Sequence, residues 1–190
     1  MTWLGLGLLL FLGIHCLPHF QSTRQGLIGR LGEMRYKGLF SLTSAVGFGL
    51  IVIGVIQRDY IHLWHSPGWS RELTIGAMLP ASILLCSANF PNNIQRLTKH
   101  PMLIGLLLWS ASHLLANGDL ASLMLFGGFL CFALFDLWSV TGAARSTPHK
   151  TSARTPLWRD LIAIGLGIVT YAALLWWHGQ LFGMALVTQQ

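Results

Sequence analysis

Two of the chain's eight histidines, His15 and His113, stand inside long apolar runs with no charged residue beside them. An imidazole in such surroundings has two uses. As a neutral ring it is a strong ligand for iron, zinc or copper, with its second nitrogen held by a hydrogen bond. It can equally tie two helices together by a hydrogen bond, the plainer reading of an ionisable group in an apolar segment. Residue type alone leaves both open.

The other histidines form weaker patterns. His15 and His19 have the four-residue spacing of a helical metal pair. Pro18 between them removes a backbone donor and kinks a helix, so that pair geometry is not expected to survive. His62 and His65 belong to Tyr60-Ile-His-Leu-Trp-His, which reads as an interfacial aromatic loop, with a metal pair as the alternative. His149 falls in a Ser/Thr-rich linker from Ser146 to Thr155, and His178 follows Trp176-Trp177 as an interfacial anchor. Cys16, Cys86 and Cys131 are isolated, with neither C-x-x-C nor C-x-x-C-H, so covalent haem attachment and a zinc knuckle lack support and packing accounts for them. Six carboxylates, none expected deep in an apolar run, leave paired acid–base catalysis without machinery. The chain has no Gly-rich phosphate loop, nucleophile elbow or internal repeat.

The elements that must position these side chains follow from composition. Of 190 residues only 9% are charged and 53% are apolar, and mean hydropathy is +0.59. A soluble domain is about a quarter charged, which argues against a water-facing globule; disorder, collagen, coiled coil and a disulfide-rich module fall as well. The expected fold is all-α, a single polytopic integral membrane domain over residues 1–190 with about six transmembrane helices. They fall near residues 3–20, 39–57, 73–90, 101–116, 120–138 and 160–178. Pro101 and Asn117-Gly118 cut the fourth short, and the fifth is adequate only if it runs past Asp136 to Trp138. An Asn-Gly-Asp link joins those two as a hairpin, with Asp119 placed to cap the fifth. The runs do not alternate polar and apolar residues, as barrel strands would.

Cations give the orientation. Arg24, Arg30, Arg35 and Lys37 follow the first span, Arg96 and Lys99 the third, and Arg145, Lys150, Arg154 and Arg159 the fifth; the opposite side holds Arg58 and Arg71. The positive-inside rule puts the rich side in the cytoplasm and both termini outside. The net charge of +6 then reads as topology and attraction to the lipid bilayer, with no nucleic-acid partner, because the cations are split among three loops. Residues 3–18 lack a preceding cation and a small-residue cleavage site, so they read as a retained helix. Trp3, Trp64, Trp69, Trp138, Trp158, Trp176 and Trp177 fall near span ends as interfacial belts require, and Trp109 does not.

Two stretches carry a family likeness. HPMLIGLLLWSASHLLANGDLASLMLFGGFL, from His100 to Leu130, and the opening GIHCLPHFQSTRQGLIGRLGEMRYKGLFSLTS resemble the NnrU family of bacterial inner-membrane proteins, and the likeness runs from about Leu4 to Met184. The pattern is also similar to the zeta-carotene isomerases, a related group that bind haem b and isomerise a cis double bond in a carotenoid precursor. The resemblance implies haem b held by His15 and His113. Trp109 and Asn117, four residues either side of His113, would flank the cofactor or orient the imidazole. It further implies a place in denitrification, with nitrite or nitric oxide reductase proteins as partners. The isomerases carry a cysteine where this chain has Ser110, and their interval corresponding to His15–Arg24 is shorter, which sets isomerase chemistry apart as an alternative.

Two histidine ligands on facing helices would give a low-spin iron suited to electron transfer. Ser110, Ala111, Ser112 and Ala116, with Gly5, Gly7 and Gly13, leave room for close helix approach or for a flat cofactor. Depth sets a condition on a shared iron: His113 lies roughly 18 Å beyond Pro101 and His15 about 8 Å from Phe20, a mismatch of roughly 10 Å at the helical rise that helix tilt, the Pro18 kink or a short, shifted fourth helix would have to close. Lys99-His100-Pro101-Met102 opens the fourth span, where Pro101 suits a first helical turn and Lys99 and His100 meet lipid headgroups. An isoprenylcysteine-type methyltransferase carries a similar RHPxYxG word, but Lys99 and Leu103 depart from it. The remaining alternative is a non-catalytic membrane partner in which both imidazoles only tie helices together.

Overall fold

Proline, glycine and asparagine set where the helices start and stop. The computed structural model describes residues 1–144, 154–183 and 186; Arg145, His149 and Lys150, with most of the Ser/Thr-rich linker, lie outside them. Helix α1 (Thr2–Cys16) ends as Pro18 turns the chain into a tight single turn, Leu17–His19. Helices α2 (Gln21–Leu31) and α3 (Glu33–Ile56) are separated by Gly32, whose φ of 79° is a left-handed conformation that glycine adopts without a steric penalty. Helix α4 (Ser70–Ser87) leads to the short α5 (Asn93–Thr98), capped where the Asn92 side chain accepts the Gln95 N–H at 2.7 Å. Pro101 opens α6 (Pro101–Ala116), Asp119 accepts the Ser122 N–H at 3.0 Å to start α7 (Leu120–Ala144), and Pro156 precedes α8 (Leu157–Phe182). No strand occurs among the described residues.

The helices pack in a row: α3 on α1, α1 on α7, α7 on α6, α6 on α4, and α4 on α8. Between α1 and α3 the backbones touch. A β-carbon on Gly7 would lie 2.5 Å from the Ile51 nitrogen, and one on Gly54 would land on the backbone of Leu4. Leu4, Leu8, Ile51 and Ala121 form the apolar core there. Between α6 and α4, Gly105 faces the Ala81 carbonyl and the Thr74 hydroxyl donates to Ser112 O at 2.8 Å.

Small polar residues share the interior with apolar ones, and the outward faces are apolar. Ser70, Thr74, Ser82, Ser87, Ser110 and Ser112 are buried, while Leu161, Ile162, Leu166, Val169, Trp176 and Trp177 of α8 face outward. Large exposed apolar faces, with small polar residues paired inside, are what lipid as solvent favours. Thr2–His19, Glu33–Ile56, Leu120–Gly142 and Leu157–Phe182 are long and apolar enough to cross a membrane. The expected count of six is thus met by four at full length. Helix α6, with 16 residues, spans about 24 Å against a hydrocarbon core of about 30 Å. The third expected span is weaker than its sequence suggested, because α4 begins at Ser70 and takes Arg71 and Glu72 into its first turn. The fifth is stronger, because α7 continues past Asp136 and Trp138 to Ala144.

The two sides of the bundle on which helix ends emerge differ. On one side the loop after α3 docks on the α6–α7 link: Leu63 N and Trp64 N donate to Gly118 O at 2.8 and 3.1 Å, and Leu120 N donates to Ile61 O at 2.9 Å. Here the expected Asn-Gly-Asp hairpin forms, and a β-carbon on Gly118 would overlap the Trp64 carbonyl. On the other side the Asp160 carboxylate of α8 accepts Asn93 N at 2.7 Å and Ile94 N at 3.2 Å, tying α5 to α8.

Candidate functional site

Helix α7 carries a phenylalanine at every third position, Phe126, Phe129, Phe132 and Phe135. A three-residue step falls short of one helical turn, so the four rings wind slowly around the helix and meet different neighbours. His113 of α6 packs on Phe126 with ring centroids 4.9 Å apart, His15 of α1 lies 6.3 Å edge-on from Phe132, and His19 lies 5.1 Å from Phe135. Phe129 touches Phe11 of α1 at 5.8 Å and Trp109 of α6 at 5.4 Å. Phe40 of α3 closes over His15 at 5.3 Å. One helix therefore meets three imidazoles through an aromatic seam that winds about half-way around it.

Both expected ligands make the same local bond. His15 Nδ1 lies 2.6 Å from Phe11 O and His113 Nδ1 lies 2.9 Å from Trp109 O, each carbonyl being four residues back on the same helix. A carbonyl only accepts, so Nδ1 carries a proton in each ring, and in the neutral form Nε2 keeps its lone pair. This is the tautomer an Nε2 metal ligand requires, held by a backbone carbonyl.

The seam also separates them. Helix α7 runs between α1 and α6, and Phe11, Phe129 and Trp109 form a chain of ring contacts from His15 (4.4 Å from Phe11) to His113 (5.7 Å from Trp109). Phe126 and Phe132, the rings that the two imidazoles meet, are six residues apart, about 9 Å along α7. That offset agrees with the depth mismatch read from the sequence.

Trp109 lies against His113, as its spacing implies. Asn117 instead donates from its side-chain amide to the main-chain oxygen of His113 at 2.8 Å, which closes the end of α6 and leaves the ring alone. Ser110 is fully buried and its hydroxyl donates to Leu106 O at 2.7 Å. Of the small residues on α1, Gly7 is used for contact with α3, Gly5 faces Met124, and Gly13 has nothing within 4 Å. No group of three or more His, Cys, Asp or Glu that could hold a metal ion occurs among the described residues.

One polar cluster escaped the sequence reading. Past Pro18 the chain carries His19 onto α7, where its Nε2 meets Asp136 Oδ1 at 3.1 Å and its Nδ1 meets the Ser139 hydroxyl at 3.0 Å. The signal available was Asp136 and Ser139 one turn apart in an otherwise apolar segment, next to the question of where that segment stops. With Asp136 satisfied by His19, the carboxylate does not end the helix. As expected, Pro18 sends His15 and His19 to separate partners.

No curated protein and no solved structure matches the chain. The family model described as NnrU protein matches residues 3–186, nearly the whole length, and the chain belongs to the NnrU family.

Proposed function

We propose that this NnrU protein is an integral protein of the bacterial inner membrane that binds haem b through His15 and His113 and serves nitrogen-oxide metabolism. One observation carries the reading: both imidazoles give Nδ1–H to a backbone carbonyl, which makes Nε2 the lone-pair nitrogen of the neutral ring, beside the aromatic seam of α7. The donor chemistry suits a haem iron. The space between the donors is filled by Phe11, Phe129 and Trp109, so uptake requires those rings to turn aside. Bound there, haem would supply the one-electron exchange that nitrite or nitric oxide reduction draws on. The protein's own part is to hold the imidazoles in one tautomer within an apolar shell. Reductase proteins of that metabolism are its partners.

All six apolar helices lie in the bilayer on this reading, with the short α6 shielded by α4 and α7 and both termini periplasmic. A reporter enzyme fused after Gln190 would then be active only outside. The activity of the related isomerases is not extended to this chain, because Ser110 offers no soft ligand and spends its hydroxyl on Leu106 O.

The test is a visible spectrum of the full chain purified in detergent from haem-replete cells. A Soret band with low-spin bands is expected, and it should be lost in His15→Ala and in His113→Ala. If only one variant loses it, the iron has a single protein ligand of the two. A second reading has its own support: each imidazole already has a hydrogen bond and ring contacts, which is all a helix-tying histidine needs. A colourless protein that remains folded would establish that reading and remove the first.

A further inference from the structure

We propose that His62 and His65 form a surface binding site for a divalent transition-metal ion of the zinc and copper class, at the end of the protein opposite the α5–α8 contact. His62 Nε2 and His65 Nδ1 stand 3.4 Å apart, with ring centroids at 4.4 Å and planes inclined by 65°. On a tetrahedral ion with metal–nitrogen bonds of about 2.0–2.1 Å, two ligand nitrogens lie roughly 3.3–3.4 Å apart. The backbone that carries both rings is held in place. Ile61, Leu63 and Trp64, which flank and separate the two histidines, are each bonded through the backbone to Gly118 or Leu120, and a β-carbon on Gly118 would not fit beneath Trp64. Both histidines are exposed, so an ion reaches them directly.

With no ion bound, one ring proton lies between the two nitrogens and occupies one lone-pair direction. Binding moves that proton, through water, to the other nitrogen of the ring that donated it. Both lone pairs then face the ion and no net proton is released. Asp119 pairs with His62 across an isolated bridge, but its carboxylate is bound to the Ser122 N–H and hydroxyl, so water fills the remaining positions. Two imidazoles with water suit copper(II), zinc(II) and nickel(II), with copper the tightest. The site is independent of the haem reading, since it shares no residue with the α7 seam.

The experiment uses the full chain in detergent with any polyhistidine tag removed, titrated with copper(II) by electron paramagnetic resonance and with zinc(II) by calorimetry. The expected result is one ion per chain, with copper hyperfine structure from two nitrogens. His62→Ala and His65→Gln should each weaken binding by about tenfold or more, while His15→Ala leaves it unchanged. His65→Gln keeps a polar side chain on an exposed loop, so its fold is preserved. A wild-type protein giving only the free-ion spectrum overturns the proposal, as does binding that neither substitution alters.

Discussion

The two imidazoles sit on helix pairs held together in different ways. Helix α1, which carries His15, meets α3 backbone to backbone through Gly7, Gly47 and Gly54. Helix α6, which carries His113, meets α4 through Gly105 and through a hydroxyl, Thr74 to Ser112 O. Lipid is as apolar as leucine, so helices in a bilayer gain little from hydrophobic burial and rely on close packing and interhelical hydrogen bonds. The α1–α3 pair rests on shape, whereas the α4–α6 pair divides the load between shape and a hydrogen bond. A single added methyl group should therefore damage the first pair far more than the second.

Gly54→Ala gives the largest expected effect. Its methyl would land on the backbone of Leu4, which cannot swing away, so the helices must separate; a loss of about 3 kcal/mol is expected, at the upper end of the overpacking range. Gly105→Ala meets Ala81 O and a Leu85 side-chain carbon at 3.0 Å, where small shifts suffice, and about 1 kcal/mol is expected. Thermal unfolding of both variants in detergent measures the difference. Equal losses would erase the contrast between the pairs.

Next comes Phe129→Ala, at the middle of the seam that divides the two imidazoles. The ring is half-buried, so its loss is expected to cost about 2 kcal/mol, below the range for a fully buried phenylalanine. The same change opens the space between His15 and His113. Haem content per chain, measured as the pyridine haemochromogen, should rise relative to wild type if haem binds between them. A fall in haem content at unchanged folding would mean that the ring supports the cofactor instead of blocking it.

Thr74→Val is smaller. It removes the hydroxyl that bonds both Ser70 O and Ser112 O at 2.8 Å while keeping the shape, and about 1 kcal/mol is expected. Combining it with Gly105→Ala should give more than the sum of the two, because both act on the α4–α6 contact. Strict additivity in the double-variant melt would show that the two contacts are uncoupled.

Legibility in the sequence followed punctuation. Helix α6 runs from Pro101 to Ala116 as expected because Pro101 and Asn117-Gly118 mark both ends chemically. Helix α7 was expected to end at Trp138, running past the carboxylate of Asp136 being the condition for an adequate span, and only tertiary contact shows that His19 satisfies Asp136 while the helix continues to Ala144. Helix α2 was hidden in a polar connection with no apolar periodicity and no buried residue. The imidazoles of the candidate site were legible by type, and their depth offset by counting residues. That α7 stands between α1 and α6 was not legible, since neighbour order among apolar helices is set by which small residues face each other.

The smallest expected effect decides between two readings of the small residues on α1. Gly5, Gly7 and Gly13 were expected either to let helices approach or to leave space for a flat cofactor. Gly7 settles into the first use by its contact with α3. Gly13, two residues before His15, has no atom within 4 Å of where a β-carbon would stand, so Gly13→Ala meets no steric obstacle. Alanine is the better helix former by about 1 kcal/mol in water, and part of that gain is expected as unchanged or slightly raised thermal stability. Haem content should stay at the wild-type level, because the open face at Gly13 is not the seam where Phe129 lies. If the methyl group lowers haem content without altering the melt, the cofactor lies across Gly13, and the surface of α1 away from α7 becomes the place to look for it.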